Sequence, residues 1–371
     1  MDSQKKGNAV DSCSSSSSSP RKMQQNDTRA ESLSEDIIFF DILTRLPGTF
    51  LHRNAKFVCK AWAAIMGNSQ FVEAHLRRAK PGIFLQSTIH PYGARFLEIK
   101  DNGGLRITEL NPQYPGRILN SCDGLALFFQ YATGALHVAN PVTMQVTRVP
   151  DLLGARLMYP PCAIARVPST GEFKLFAAIA QKYSGVFVCH WYVLRLGIDC
   201  VWRKFLTDSG DYDFTCSPIY NGAYDLYWTT KNRVIVMDID KETFRPFLLP
   251  QELRWHPQYL KMGDCLSAII FLEQGFQIHT FDAQSGKWTF YHHIGHLNYP
   301  TTGSDVLCEF FCAWMNQELI IKPIAIPSPG TLISGYNVKT RSLWTMNYRE
   351  MGSHHLELHT ISLISWKSAL S

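Results

Sequence analysis

Two histidine clusters are the first residues in this sequence whose types could do chemistry. "HHIGH" groups His292, His293 and His296, and "HHLELH" groups His354, His355 and His359. Each has imidazoles enough for a metal. Neither brings the Cys and carboxylate neighbours that would complete a ligand set. Cys308 and Cys312 have metal-like spacing but no second pair beside them. The histidines therefore read as loop or strand residues and the cysteines as core residues, and no metal or other cofactor is expected. There is no Gly-x-Ser-x-Gly elbow, phosphate-binding Gly-rich loop or His-Glu-x-x-His helix. The carboxylate pair that a glycosidase needs cannot be picked out from sequence alone.

Composition narrows the class. Hydrophobic residues make up 46% of the 371 and charged residues 18%, which is globular usage. The net charge of +5 is mild and its basic residues are scattered, so nucleic acid is not the expected partner. No apolar run reaches the ~18 residues of a membrane span, and the N-terminus lacks the apolar core of a signal peptide. The expectation is a protein of the cytoplasm or nucleus, with its 10 cysteines reduced and mostly buried.

Three parts must position whatever the chain does. Residues 1–31, "CSSSSSSPRKMQQNDTRAE" among them, have little to bury and are expected to be disordered. Residues 32–80 read as helical. Ser32 and Glu35 have capping-box spacing, and Phe39, Ile42, Leu43 and Leu46 follow at i, i+3, i+4, i+7. Pro47-Gly48 ends that helix. Val58, Ala61, Trp62 and Ile65 mark a second helix, and a third starts near Asn68 or Ser69 with Phe71, Val72 and Leu76 as its apolar positions. Three short helices carry more apolar surface than they can bury among themselves.

The stretch "LSEDIIFFDILTRLPGTFLHRNAKFVCKAWAAIMGNSQFVEAHL" resembles an F-box, through Leu33, Ile42, Leu43, Leu46, Pro47, Leu51, Val58, Cys59, Lys60 and Trp62. Ser34 stands where that family commonly has Pro. The resemblance implies that Leu33, Phe39, Ile42, Leu43, Leu46, Pro47, Leu51, Val58, Cys59 and Trp62 bind a Skp-type adaptor and, through it, a cullin.

From residue 82 to 371 the period changes. "LALFFQYATGALHVANP" holds two β-rich runs joined by Tyr-Ala-Thr-Gly, and "IYNGAYDLYWTTKNRVIVMDID" and "AIIFLEQGFQIHTFD" repeat the plan. After each paired run comes Asn or Asp with Thr or Ser three residues on: Asn140, Asp240, Asp282 and Asn337, with Asp199 midway in the longest gap. The polar residue is expected to open a turn by bonding its own backbone. Trp202, Trp288 and Trp344 then fall on the following strand. A period of roughly 40 to 55 residues is that of propeller blades; an irregular β-sandwich is the other reading.

"SCDGLALFF", "LHVANPVTMQVTRVP" and "YNGAYDLYW…IVMDIDKETFRPFLLP" resemble the kelch-like, F-box-associated domain common in plant proteins, although Gly103-Gly104 is the lone paired glycine of the kelch type. "FDAQSGKWTF" is similar to the Asp-box turn of sialidase propellers, with Gln284 in place of its Gly. The fold expected is α+β multidomain: a small three-helix F-box, then an all-β kelch-like propeller. The resemblances imply the non-catalytic substrate-recognition subunit of a Skp–cullin–F-box ubiquitin ligase, its propeller holding a target protein. The alternative is a β-propeller enzyme acting on sugars.

Overall fold

The computed structural model describes residue 34 and residues 37–366, apart from 89–91, 101–103, 111–112, 153–160, 184–185, 211, 255–256, 273–274, 296–309, 324–330 and 349–353. The Ser-rich tail, Leu33 and the Ser32–Glu35 capping box lie outside the described residues, as do His296 and Cys308.

Six antiparallel four-stranded sheets form a ring. Blade 1 orders its strands 354–360, 81–87, 94–99 and 105–109 from the axis outward, so the C-terminal strand is its innermost. Blades 2 to 6 run in chain order from inner strands at Arg117–Cys122, Cys162–Arg166, Ile219–Tyr220, Gln258–Met262 and Phe310–Met315. The chain therefore closes its own ring: Pro81 pairs with Thr360 and Ser87 with His354. The propeller reading is correct and the sandwich falls away. The number of blades, which sequence left open, is six.

The second strands are buried on both faces because each blade stacks between two others. Leu125 to Phe129 of blade 2 are all buried, as are Leu226 to Thr229 of blade 4. The expected turns occur between third and fourth strands. Asn140 Oδ1 accepts the N–H of Val142 and Thr143, Asp282 that of Gln284, and Asn337 those of Lys339 and Thr340. In blade 4 the turn belongs to Asp238, which accepts from Asp240 and Lys241, so the register expected at Asp240 is two residues late.

Among the described residues, three α-helices precede the ring: α1 (Gly48–Arg53), α2 (Lys60–Ile65) and α3 (Ser69–Arg78). Leu46 is extended ahead of Pro47, which ends the helical turns over Ile37–Arg45. The expected second helix starts only at Lys60, leaving Val58 before it. Asn68 caps α3, its Oδ1 accepting from Gln70 and Phe71. Leu43, Leu51 and Phe71 are fully buried and share one core with Phe84 and Phe96 of blade 1 and with Ile361 and Leu363 after the last strand. The helical unit is docked on the propeller.

Candidate ligand site in the central channel

The inner strands enclose a cavity of ≈ 570 Å³ on the propeller axis. Two buried amides hold its wall in register. Gln86 of blade 1 donates to Gly116 O and accepts from Ile118 N, both at 2.8 Å, beside the bulge between Ile118 and Asn120. Asn120 spans to blade 3, donating to Cys162 O at 2.6 Å and accepting from Ile164 N at 3.0 Å.

Strand alternation puts His355, Glu357 and His359 on one face of the C-terminal strand, toward blade 2. His355 Nδ1 meets an Arg117 guanidinium nitrogen at 2.8 Å. Burial, and then the Arg117 charge, push His355 down to about 4. His359 Nδ1 lies 2.8 Å from Ser121 Oγ, and its ring packs edge-on to Phe84 and Phe96. Burial pushes His359 down to about 3. Both rings are therefore neutral, and acceptance by His355 Nδ1 places its proton on Nε2.

Glu357 lies between them and lines the channel. No hydrogen bond or ion pair reaches its carboxyl among the described residues. Desolvation alone pushes it up to about 8, so it is largely protonated at neutral pH.

The mouth at the C-terminal ends of the inner strands is charged. Asp123 lies 3.6 Å from Arg166, which also binds Glu73 of α3. Burial raises the Asp123 pKa against the pull of Arg166. Lys261 lies at the same mouth, over Gly222, whose φ of +85° suits glycine and where a Cβ would strike the Lys261 Nζ.

The residues picked out from sequence are dispersed. Of the ten assigned to an adaptor, Phe39, Leu43 and Leu51 are buried in the chain's own core. Leu46, Pro47 and Trp62 are half-buried, while Ile42, Val58 and Cys59 are exposed. His292 Nε2 lies 3.1 Å from the Tyr336 hydroxyl, and Cys312 is buried in blade 6. No group of three or more His, Cys, Asp or Glu among the described residues could hold a metal ion. Sequence reasoning missed Glu357, although the alternation of His-Leu-Glu-Leu-His was a signal that could have found it.

No protein-family model matches the chain, and no curated protein matches it. Solved structures do. TolB from Acinetobacter baumannii is 10% identical, with 80% of this chain and 71% of TolB covered and a TM-score of 0.48. A Bacteroides uniformis protein assigned as a 6-phosphogluconolactonase is 14% identical, with 73% and 82% covered and a TM-score of 0.39. An oligogalacturonate lyase in complex with manganese is 11% identical, with 70% and 72% covered and a TM-score of 0.42. None of them carries a function to this chain. The ubiquitin-ligase substrate-receptor reading is corrected here. No F-box model matches the chain, and none of the three structures is named as such a receptor. The excess apolar surface that suggested an adaptor is in large part covered by the propeller itself.

Proposed function

We propose that the protein is a binding protein, without chemistry of its own, that takes a small molecule into its central channel. The observation that carries this reading is the unpaired Glu357 carboxyl facing a cavity of ≈ 570 Å³. That volume lies within the ~300–1,000 Å³ of ligand pockets, and such pockets place a few polar groups on mostly apolar walls. Leu119, Ile164, Tyr259 and Phe311 supply apolar wall here. Folding a carboxyl into this position without a partner is costly. A ligand that satisfies it offsets that cost.

Hydrogen exchange with and without a bound compound tests the reading. Protection concentrated on Arg117–Cys122 and His354–Thr360 is expected, and protection confined to outer strands would overturn it.

A second reading, a propeller enzyme acting on sugars, draws on the same carboxyl. Glu357 and Asp123 are the two carboxyl groups among the described channel residues, and a carboxyl still protonated near neutral pH suits a general acid. Turnover of aryl glycosides that is lost in Glu357→Gln would establish that reading; binding without turnover supports the first.

A further inference from the structure

We propose that the channel's ligand bears a protonated amine, seated against Glu357; this rests on the channel reading above and names its ligand class. Among the described residues, the cations near the channel are placed elsewhere. Arg117 is engaged with His355, and Arg166 with Glu73 and Asp123. Lys261 stands at the mouth, where its charge acts on Asp123 and Cys122. The flanking rings of His355 and His359 are neutral and supply no positive charge. Glu357, deep in the cavity, is thus left without a counter-charge among the described residues. Tyr220, Tyr259, Phe311 and Trp314 line the same cavity, and aromatic faces attract ammonium groups. A carboxylate ligand would meet Glu357 as a like charge or find only its single proton. A neutral alcohol would gain a hydrogen bond but no charge pairing.

The proton balance follows. In the empty channel the carboxyl holds a proton below about pH 8. Seating an ammonium ion favours the carboxylate, so that proton leaves to solvent as the ligand binds. Affinity therefore rises with pH toward about 8, close to tenfold per unit, and levels off above it. His354, Asp123, Cys216, Tyr220, Tyr259 and Lys261 line the same cavity; the groups set directly beside Glu357 are two rings on its own strand and side chains of blades 2 and 6. Those rings, His355 and His359, titrate far below neutral pH. The Arg117 guanidinium on blade 2 is held by His355 at 2.8 Å. Burial pushes the Cys122 thiol on blade 2 and the Cys312 thiol on blade 6 upward, so both stay neutral.

The experiment is an NMR titration of the full chain with benzylammonium, benzyl alcohol and benzoate at pH 6, 7 and 8, repeated on Glu357→Gln, with thermal melting to show that both proteins fold. Benzylammonium should bind about ten- to a hundredfold more tightly than the alcohol at pH 8, the range for one charged hydrogen bond. Its affinity should climb with pH in the wild type and stay flat and weaker in Glu357→Gln. Equal affinity for alcohol and ammonium, preference for benzoate, or an ammonium affinity untouched by Glu357→Gln would overturn the amine assignment while leaving the channel as a binding site. Failure of all three probes to shift any resonance of the inner strands would overturn both.

Discussion

Glu73 and Arg166 join the helical unit to the propeller: the carboxylate of α3 takes both terminal nitrogens of a guanidinium on blade 3's inner strand. Arg166 is also 3.6 Å from Asp123 and donates to Gly171 O at 3.2 Å, so its position is fixed from several sides. The pair is only partly exposed, at 32% for Glu73 and 20% for Arg166. The contact therefore reports whether the helices stay docked.

Glu73→Ala should loosen that docking by about 1–2 kcal/mol, the lower part of the range for charged hydrogen bonds, because some screening by water remains. Arg166→Ala should cost more, since it also strands Asp123. A double-mutant cycle in urea, read with limited proteolysis between Arg78 and Pro81, measures the coupling. Independent, additive effects would show that the bridge contributes nothing to docking.

Glu357 predicts a stability that depends on pH in an unusual direction. Its folded pKa of about 8 lies above the ordinary 4.5 of an unfolded glutamate. Between those values the folded chain holds the extra proton, so each rise in pH favours unfolding. Glu357→Gln should therefore melt near the wild type at pH 4.5 and progressively above it up to pH 8. A melting difference that stays constant across this window would contradict the protonated carboxyl.

The repeat was legible because it is local. Asn140, Asp282 and Asn337 each close their turn within three residues, and such chemistry shows in any window that contains it. Ring closure was not legible. Nothing in "HHLELH" says that it pairs with Pro81–Ser87, hundreds of residues away. The helical unit failed for a different physical reason. Leu43, Leu51 and Phe71 have the same amphipathic spacing whether another protein or the chain's own Ile361 and Phe96 covers them. The histidine cluster reads from sequence as loop or strand residues; alternation and burial add what the residue types do not show, neutral rings either side of a lone carboxyl.

Asn120 should be among the least replaceable polar residues. Its amide is shared between Cys162 O and Ile164 N in a buried wall, and Asn120→Ala leaves both without partners. Each stranded group costs about 1–3 kcal/mol, so a total loss of about 2–5 kcal/mol is expected. Asn120→Asp keeps the acceptor for Ile164 but faces Cys162 O with a second acceptor, and should be nearly as damaging. Urea unfolding of both variants checks this; a loss below about 1 kcal/mol in each would show that water replaces the amide without penalty.

Acid should destabilise the propeller through the two histidines that flank Glu357. Their folded values, about 4 for His355 and about 3 for His359, lie below the ordinary 6.5. The stability they contribute is present above pH 6.5 and is lost as pH falls toward the folded values, because the unfolded chain takes up protons first. At pH 5 the loss is about 2 kcal/mol per ring, at 1.36 kcal/mol for each unit between pH 6.5 and 5. Glu357 works in the opposite sense over the same range and masks part of it. The comparison is therefore best made in Glu357→Gln, where stability between pH 7 and 5 should fall more steeply than in the wild type. Adding His359→Gln to that variant should lower stability at pH 7, through the lost contacts with Phe84 and Phe96, and make the pH slope shallower. Urea midpoints at pH 7, 6 and 5 for the three proteins measure it. An unchanged slope on removing His359 would mean that its ring is not held neutral in the folded chain.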